Sequence, residues 1–210
     1  LSTMVTELGS AAGKQIEDAA TALKSADSIL ASEVIRNDEG INRQQIAAEE
    51  LVIRLLATRQ PMAVDLRAIV SALKISSELE RIADYAANIV KYVGGPQINS
   101  DQGLIHSIAR MAAIGQGMLK DIITAYRELD VDKAIEVWHR DDEIDDIYVD
   151  VIGKIHAELE RGQGKKTKDY SNLIFAARCC ERIGDHITNV AENIYYIKHG
   201  ELYIDGAVSA

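Results

Sequence analysis

The sequence predicts an all-α fold in which six long helices form two similar three-helix bundles. The 210 residues contain only two prolines, Pro61 and Pro96, and long stretches without proline favour long helices. The segment GGPQINSD at 94–101 is the only stretch rich in helix breakers, and it divides the chain into halves of similar length. Parts of the two halves also repeat each other, which indicates a duplicated unit with an internal pseudo-twofold.

Each half is predicted to contain three helices. We expect them at 1–26, 28–59 and 61–93 in the first half, and at 102–129, 131–161 and 167–199 in the second. Asp27 and Asp130 are good N-cap residues, and Pro61 suits the first position of a helix, where its missing N–H costs nothing. The predicted domains are a first repeat at 1–93, a linker at 94–101, a second repeat at 102–200 and a C-terminal tail at 201–210.

The repeat is visible when the chain is compared with itself. With an offset of 103, residues 18–42 and 121–145 share nine of 25 positions. With an offset of 101, ERIADYAANI at 80–89 and ERIGDHITNV at 181–190 share five of ten. The matches include an Asn and a Thr-Ala pair, which helix propensity alone would not select. A duplication therefore explains the pattern better than chance resemblance of acidic helices.

Composition narrows the class of partner. The formal net charge of −10 makes the chain a poor match for nucleic acid or for an anionic membrane surface. No apolar run approaches the ~18 residues that a membrane span needs. No signal peptide is visible. The chain starts at Leu1 without an initiator Met, so a leader or another segment could precede Leu1. Cys179 and Cys180 are adjacent and form no disulfide framework, which indicates a reducing cytoplasm.

Acidic side chains recur at helical spacing in both halves. Glu80 and Asp84 lie four residues apart, as do Glu181 and Asp185, and helical periodicity points each pair away from the apolar stripe of its helix. The preceding helices carry a matching element at the same spacing. The candidate metal-ligating residues are Asp38, Asn42, Glu80 and Asp84 in the first half, and Asp141, Asp145, Glu181 and Asp185 in the second.

These rows have two interpretations. An acidic helix face is often simply solvated, and Arg81 and Arg182 could help to neutralise it. Carboxylates that neighbouring helices bring together also repel each other, and a hard cation relieves that repulsion. Because the rows are expected to face outward, surface-bound ions or clusters are favoured over a buried cage. Asn42 brings no charge where the second half has Asp145, so the first site is predicted to be the weaker.

Longer motifs resemble a known family. PMAVDLR at 61–67 and LKISSELERIADYAANIV at 73–90 look like the signature helix of the PhoU family of phosphate-uptake regulators, and ARCCERIGDHITNVAENI at 177–194 looks like its second copy. RNDEGIN at 36–42 and RDDEIDD at 140–146 resemble the acidic ends of its other repeated helices. The resemblance covers essentially the whole chain.

The resemblance implies a fold and a function. It implies a non-enzymatic negative regulator in the cytoplasm, peripheral to the inner face of the membrane through its partners and without nucleic acid. Those partners would be the ATP-binding subunit of the phosphate ABC transporter and a phosphate sensor histidine kinase, and the protein would form a homodimer. It also implies metal ions at the acidic motifs: iron, or Mg, Mn or Zn, as surface ions or multinuclear clusters.

Two other functions stay open from the residues alone. A ferritin-like di-iron oxidase or metal store would also be acidic and helical, but it needs a Glu-x-x-His pair on each of two helices facing a bundle interior. The chain has one such pair, Glu136 and His139, and the counterpart of His139 is Arg36. A helical adaptor that never needs metal is the second alternative. No Gly-rich phosphate loop and no Ser/His/Asp or Cys/His catalytic set stands out in the sequence.

Overall fold

All regular structure in the described residues is α-helical. The computed structural model describes residues 1–93, 101–161 and 167–203. The helices are α1 (Ser2–Ser25), α2 (Ser28–Arg59), α3 (Ala63–Val93), α4 (Gln102–Glu128), α5 (Val131–His139), α6 (Asp142–Glu160) and α7 (Thr167–His199). Within these residues, no helix combines the length and the apolar character that crossing a membrane requires.

Side-chain caps define where several helices begin. The carboxylate of Asp27 accepts hydrogen bonds from the backbone N–H groups of Ile29 and Leu30, and that of Asp130 accepts one from Lys133. Both N-caps were predicted from sequence and are confirmed. Asp101 caps α4 in the same way, through the N–H of Gly103. Each cap satisfies backbone donors that would otherwise lack an intrahelical partner at the helix start.

The helices form two bundles, as predicted. Helices α1, α2 and α3 pack together in the first half, and α4, α5, α6 and α7 pack together in the second. The bundles join through α3 against α7, the most extensive helix contact of the molecule, and through α1 against α4. Helix α1 is the first helix of one half and α4 that of the other, and α3 and α7 are the last helices. Each contact therefore joins two equivalent helices, as an internal pseudo-twofold requires. One continuous hydrophobic core runs through both bundles, and α3 contributes buried residues from Ser71 to Val93 and α7 from Tyr170 to Ile197.

The predicted helix at 131–161 is divided in two. Helix α5 ends at His139, and α6 begins at Asp142, with Asp141 as its N-cap residue. Asp142, Glu143 and Asp145 occupy the first turn of α6. Because carboxylates are favoured at the positive end of the helix dipole, the DDEIDD run at 141–146 suits a helix start better than a helix interior. The break therefore places Asp141 at the start of a helix and beside α7.

The placement of Pro61 at a first helical position is wrong. Helix α2 ends at Arg59, Gln60 has a left-handed backbone with φ 45°, and α3 begins only at Ala63, whose φ is 49°. Two left-handed residues turn the chain before helical geometry starts, so Pro61 lies in the connection. Residues 94–100 of the predicted linker and 204–210 of the predicted tail lie outside the described residues.

Candidate metal-binding clusters

The predicted ligands come together in two groups, one in each bundle. The first carboxylate cluster consists of Asp38 from α2 with Glu80 and Asp84 from α3. The second carboxylate cluster consists of Asp141 and Asp145, at the start of α6, with Glu181 and Asp185 from α7. Burial, and after it the charge of Asp84, raises the pKa values of Asp38 and Glu80, and burial with the charges of neighbouring carboxylates raises those of Asp141, Asp145 and Glu181. Asn42 lies on the exposed side of α2 and forms no hydrogen bond or ion pair with a described residue.

The first carboxylate cluster is half-buried and partly neutralised. Burial, followed by the charge of Asp84, raises the pKa values of both Asp38 and Glu80. Asp84 accepts a hydrogen bond from Nδ2 of Asn88 at 3.0 Å, and Nζ of Lys91 lies 4.0 Å from its other oxygen. The expectation that the acidic rows lie outside the core is confirmed, because none of these side chains is fully buried.

The second carboxylate cluster carries the stronger electrostatic perturbation. Burial, followed by the charges of Asp145, Asp185 and Glu181, raises the pKa of Asp141 to about 7. Oδ1 of Asp141 is buried and has no hydrogen-bond partner among the described residues. The same holds for Oε2 of Glu181, although Nε of Arg182 lies 3.5 Å from it. Two buried carboxylate oxygens that accept no hydrogen bond are costly in an acidic group, and only the one on Glu181 has a cationic side chain beside it.

A glycine permits this arrangement. A Cβ atom added to Gly184 would lie 2.0 Å from Oδ1 of Asp141, which is far inside van der Waals contact. Asp141 can therefore rest against the backbone of α7 only because residue 184 has no side chain. The repeat places Ala83 at the equivalent position in the first half, where α3 carries a methyl group and α7 has the bare backbone of Gly184. The two clusters thus differ in packing as well as at Asn42.

The carboxylates of the two clusters do not form a complete ligand set in this structure. Among the residues that the structure describes, no three His, Cys, Asp or Glu side chains already converge as a ligand set. Arg182 holds part of the second cluster, with Nη1 at 3.0 Å from Oδ2 of Asp185. The donor chemistry nevertheless fits a hard cation, since carboxylate oxygens are what Mg, Mn, Ca and iron prefer. A cation would draw Asp145 and Asp185 toward the buried oxygen of Asp141.

Sequence reasoning missed a polar contact between the bundles. Oε2 of Glu78 in α3 lies 2.5 Å from Nδ1 of His186 in α7, and it accepts a hydrogen bond from Nδ2 of Asn189 at 3.2 Å. Burial alone would raise the pKa of Glu78, but the two hydrogen bonds together with the charges of His186 and Arg81 outweigh it and lower the pKa. Because the contact joins residues more than a hundred positions apart, no local pattern in the sequence could reveal it.

The residues of the ferritin-like alternative do not face a bundle interior. Glu136 and His139 are both exposed on α5, and His139 makes an edge contact with the ring of Trp138. Cys179 and Cys180 are buried free thiols, as expected for small core residues. The part of the chain that the structure describes therefore offers the carboxylate clusters, and not this pair, as its candidate metal ligands.

Replacing Asn42 by Asp tests the predicted difference between the two clusters. The variant Asn42→Asp gives the first half the acidic residue that the second half has at Asp145, and we expect divalent-cation affinity of the first cluster to rise about tenfold. The opposite change, Asp145→Asn, should lower the affinity of the second cluster. Calorimetric titration of both variants with Mn²⁺ checks this, and an unchanged first-cluster affinity in Asn42→Asp would count against a ligand role for position 42.

Comparison with known proteins assigns the duplicated unit to a protein family. The PhoU domain matches this chain twice, at residues 5–93 and 108–194. The chain is 40% identical over 202 residues to the phosphate-specific transport system accessory protein PhoU homolog of Caulobacter vibrioides, covering 96% of this chain and 87% of that one. It is 31% identical over 199 residues to the accessory protein PhoU of Escherichia coli, covering 95% of this chain and 82% of that one.

Solved structures agree with the sequence comparison. The crystal structure of PhoU from Pseudomonas aeruginosa superposes with a TM-score of 0.87 at 30% identity, covering 95% of each chain. The phosphate transport system regulatory protein PhoU from Streptococcus pneumoniae superposes with a TM-score of 0.84 at 28% identity, covering 96% of this chain and 95% of that one. With two domain matches and near-full-length relatives, this chain belongs to the PhoU family.

Proposed function

We propose that this protein is a regulator of phosphate uptake and of phosphate-starvation signalling. Relatives that it matches over nearly their whole length are named as accessory proteins of the phosphate-specific transport system. The single observation that carries the proposal is the duplicated domain match over both halves. The protein acts as a binding partner and not as an enzyme. It works at the cytoplasmic face of the membrane, which it reaches through other proteins.

Two partners are proposed. One is the ATP-binding subunit of the phosphate ABC transporter, and the other is a membrane sensor histidine kinase, which this protein restrains when phosphate is plentiful. A net charge of −10 suits contact with basic surfaces of other proteins better than contact with anionic lipid or nucleic acid. The protein is proposed to act as a homodimer.

Metal ions at the carboxylate clusters are part of the proposal. In the second cluster Asp141, Asp145, Glu181 and Asp185 would hold the ion, and in the first cluster Asp38, Glu80 and Asp84 would do so. The buried oxygens of Asp141 and Glu181 that accept no hydrogen bond support this most strongly. A bound divalent cation would replace repulsion between carboxylates by attraction, and it would reduce the local negative charge that a partner meets.

Co-purification with the ATP-binding subunit tests the proposed function. The full chain is mixed with the purified subunit in the presence of Mn²⁺ and, separately, of a chelator. We expect binding that weakens when the chelator is added, because the clusters then present bare negative charge. Binding that survives chelation would support the regulator but make the clusters direct electrostatic contacts. Failure to bind under either condition would contradict the proposed partner.

A further inference from the structure

A pocket lies on one side of the contact between α3 and α7. Its volume is about 190 Å³, enough for several water molecules or a small ion. Tyr85 and Asn88 of α3 line it from one side, and Arg178 and Arg182 of α7 line it from the other, with Cys179 among its lining residues. It is thus built from side chains of both bundles.

The internal duplication shows what occupies the equivalent position in the other half. The offset of 101 relates Cys179 to Glu78, Asn88 to Asn189 and Tyr85 to His186. On that side the carboxylate of Glu78 is held by Nδ1 of His186 at 2.5 Å and by Nδ2 of Asn189 at 3.2 Å. The side chain of Cys179 is shorter than that of its counterpart Glu78, so it does not reach the position that corresponds to the Glu78 carboxylate. The pocket therefore lies where the other half places a bound carboxylate.

The pocket retains donors that suit an oxyanion. Arg178 is exposed and forms no hydrogen bond or ion pair with any residue that the structure describes. Nδ2 of Asn88, the counterpart of the Asn189 donor, turns instead to Asp84 at 3.0 Å. Arg178 is the cation in the pocket without an ion-pair partner, because Arg182 is paired with Asp185.

An aromatic pair forms one wall of the pocket. The rings of Tyr92 and Phe175 stack with centroids 5.1 Å apart, and they are 37% and 49% exposed. Rings of this size are seldom left so open to water without a contact to make. They give the pocket an apolar side, and lower local polarity strengthens hydrogen bonds between an arginine and an oxyanion.

We infer that this pocket binds a small oxyanion, a carboxylate or a phosphate, at the position equivalent to the Glu78 carboxylate. Arg178 donates hydrogen bonds to the oxyanion, Asn88 donates the second hydrogen of the Nδ2 that it also uses toward Asp84, and the aromatic pair forms the apolar side of the site. The same chemistry could come from free inorganic phosphate or from a carboxylate group. The site adjoins both carboxylate clusters, because Asn88 donates to Asp84 and Arg182 pairs with Asp185, but it uses none of their carboxylates and does not depend on the proposed partners.

Calorimetric titration of the full chain tests the inference. Cations are first stripped from the chain with a chelator, the chelator is removed by dialysis because its own carboxylates would compete for the pocket, and the chain is then titrated with inorganic phosphate and with acetate. We expect one saturable site per chain for at least one anion; tighter phosphate binding indicates the free ion as the ligand, and tighter acetate binding indicates a carboxylate group. No saturable binding of either anion would overturn the inference.

Three variants locate the site. Arg178→Gln should weaken binding about tenfold, because one charge-assisted hydrogen bond is lost. Cys179→Glu should abolish binding, because it supplies the carboxylate that Glu78 supplies in the other half. Arg54→Gln removes an equal charge from the exposed side of α2 and should change nothing. Arg178 is exposed, so its replacement leaves the core intact. Undiminished anion binding by Arg178→Gln would therefore contradict the inference. This test holds even if Cys179→Glu fails to fold.

Discussion

Asp141→Asn should stabilise the metal-free chain at pH 8 and should prevent cation binding at the second cluster. Folded Asp141 keeps its proton up to about pH 7, whereas the unfolded residue loses it near 3.8. Between these values the folded chain binds more protons, so its stability falls as the pH rises. At pH 8 the ionised, half-buried Asp141 costs roughly 1–3 kcal/mol, less than the full pKa difference implies because solvent screens its charge, and the neutral Asn avoids this cost.

Chemical denaturation at several pH values measures this effect. In the presence of a chelator, the stability difference between Asp141→Asn and the wild type should grow from pH 5 to pH 8. Asp146→Asn, an exposed residue of the same helix, is the matched control and should show no such growth. Added Mn²⁺ at pH 8 should stabilise the wild type and not Asp141→Asn. A stability difference that is constant with pH would contradict the buried, perturbed carboxylate.

Gly184→Ala should damage the second cluster although residue 184 has no side chain and is not one of its ligands. The new methyl group would lie 2.0 Å from Oδ1 of Asp141, so the carboxylate must leave its position beside the helix. We expect cation affinity at the second cluster to fall at least about tenfold. Replacing Gly by Ala in a helix otherwise stabilises by about 1 kcal/mol, so a loss of stability here would reveal the clash.

Two control variants separate the clash from helix propensity. Gly153→Ala, on an exposed part of α6 with no heavy atom within 4 Å of the added Cβ, should stabilise the chain without changing cation binding. Ala83→Gly, the reverse change at the equivalent position of the first half, should destabilise α3 by about 1 kcal/mol. If Gly184→Ala behaved like Gly153→Ala in both stability and Mn²⁺ titration, the close approach of Asp141 would have no functional role.

Much of the fold could be predicted from the sequence because its signals are local or repeated. Missing prolines, the caps at Asp27 and Asp130 and the breaker-rich segment at 94–101 determine where helices begin and end. The two offsets of the repeat determine which helices are equivalent. The break before Asp142 was missed, although the run of acids from 141 to 146 is typical of a helix start. Pro61 was misplaced because two left-handed residues flank it, which residue types do not disclose.

The site was predicted as two groups of carboxylates, and the structure brings the carboxylates of each group together within their own bundle. The difference between the groups could be inferred only in part, from Asn42. The exchange of Ala83 for Gly184 is visible in the two copies of the repeat, but its meaning requires knowing that Asp141 contacts α7 there. The contact of Glu78 with His186 and the pocket above Cys179 depend on how α3 crosses α7. Such contacts between distant residues leave no periodic signal in either helix.

Equilibrium dialysis against Mn²⁺ tests the central claim, that the carboxylate clusters are cation sites, most directly. The wild-type chain at pH 8 is compared with Asp38→Asn, Asp141→Asn and the double variant. We predict two classes of site, a tighter one that Asp141→Asn removes and a weaker one that Asp38→Asn removes, with neither left in the double variant. Absence of saturable binding by the wild type, or unchanged binding by the double variant, would contradict the claim and would make both clusters ordinary acidic surface.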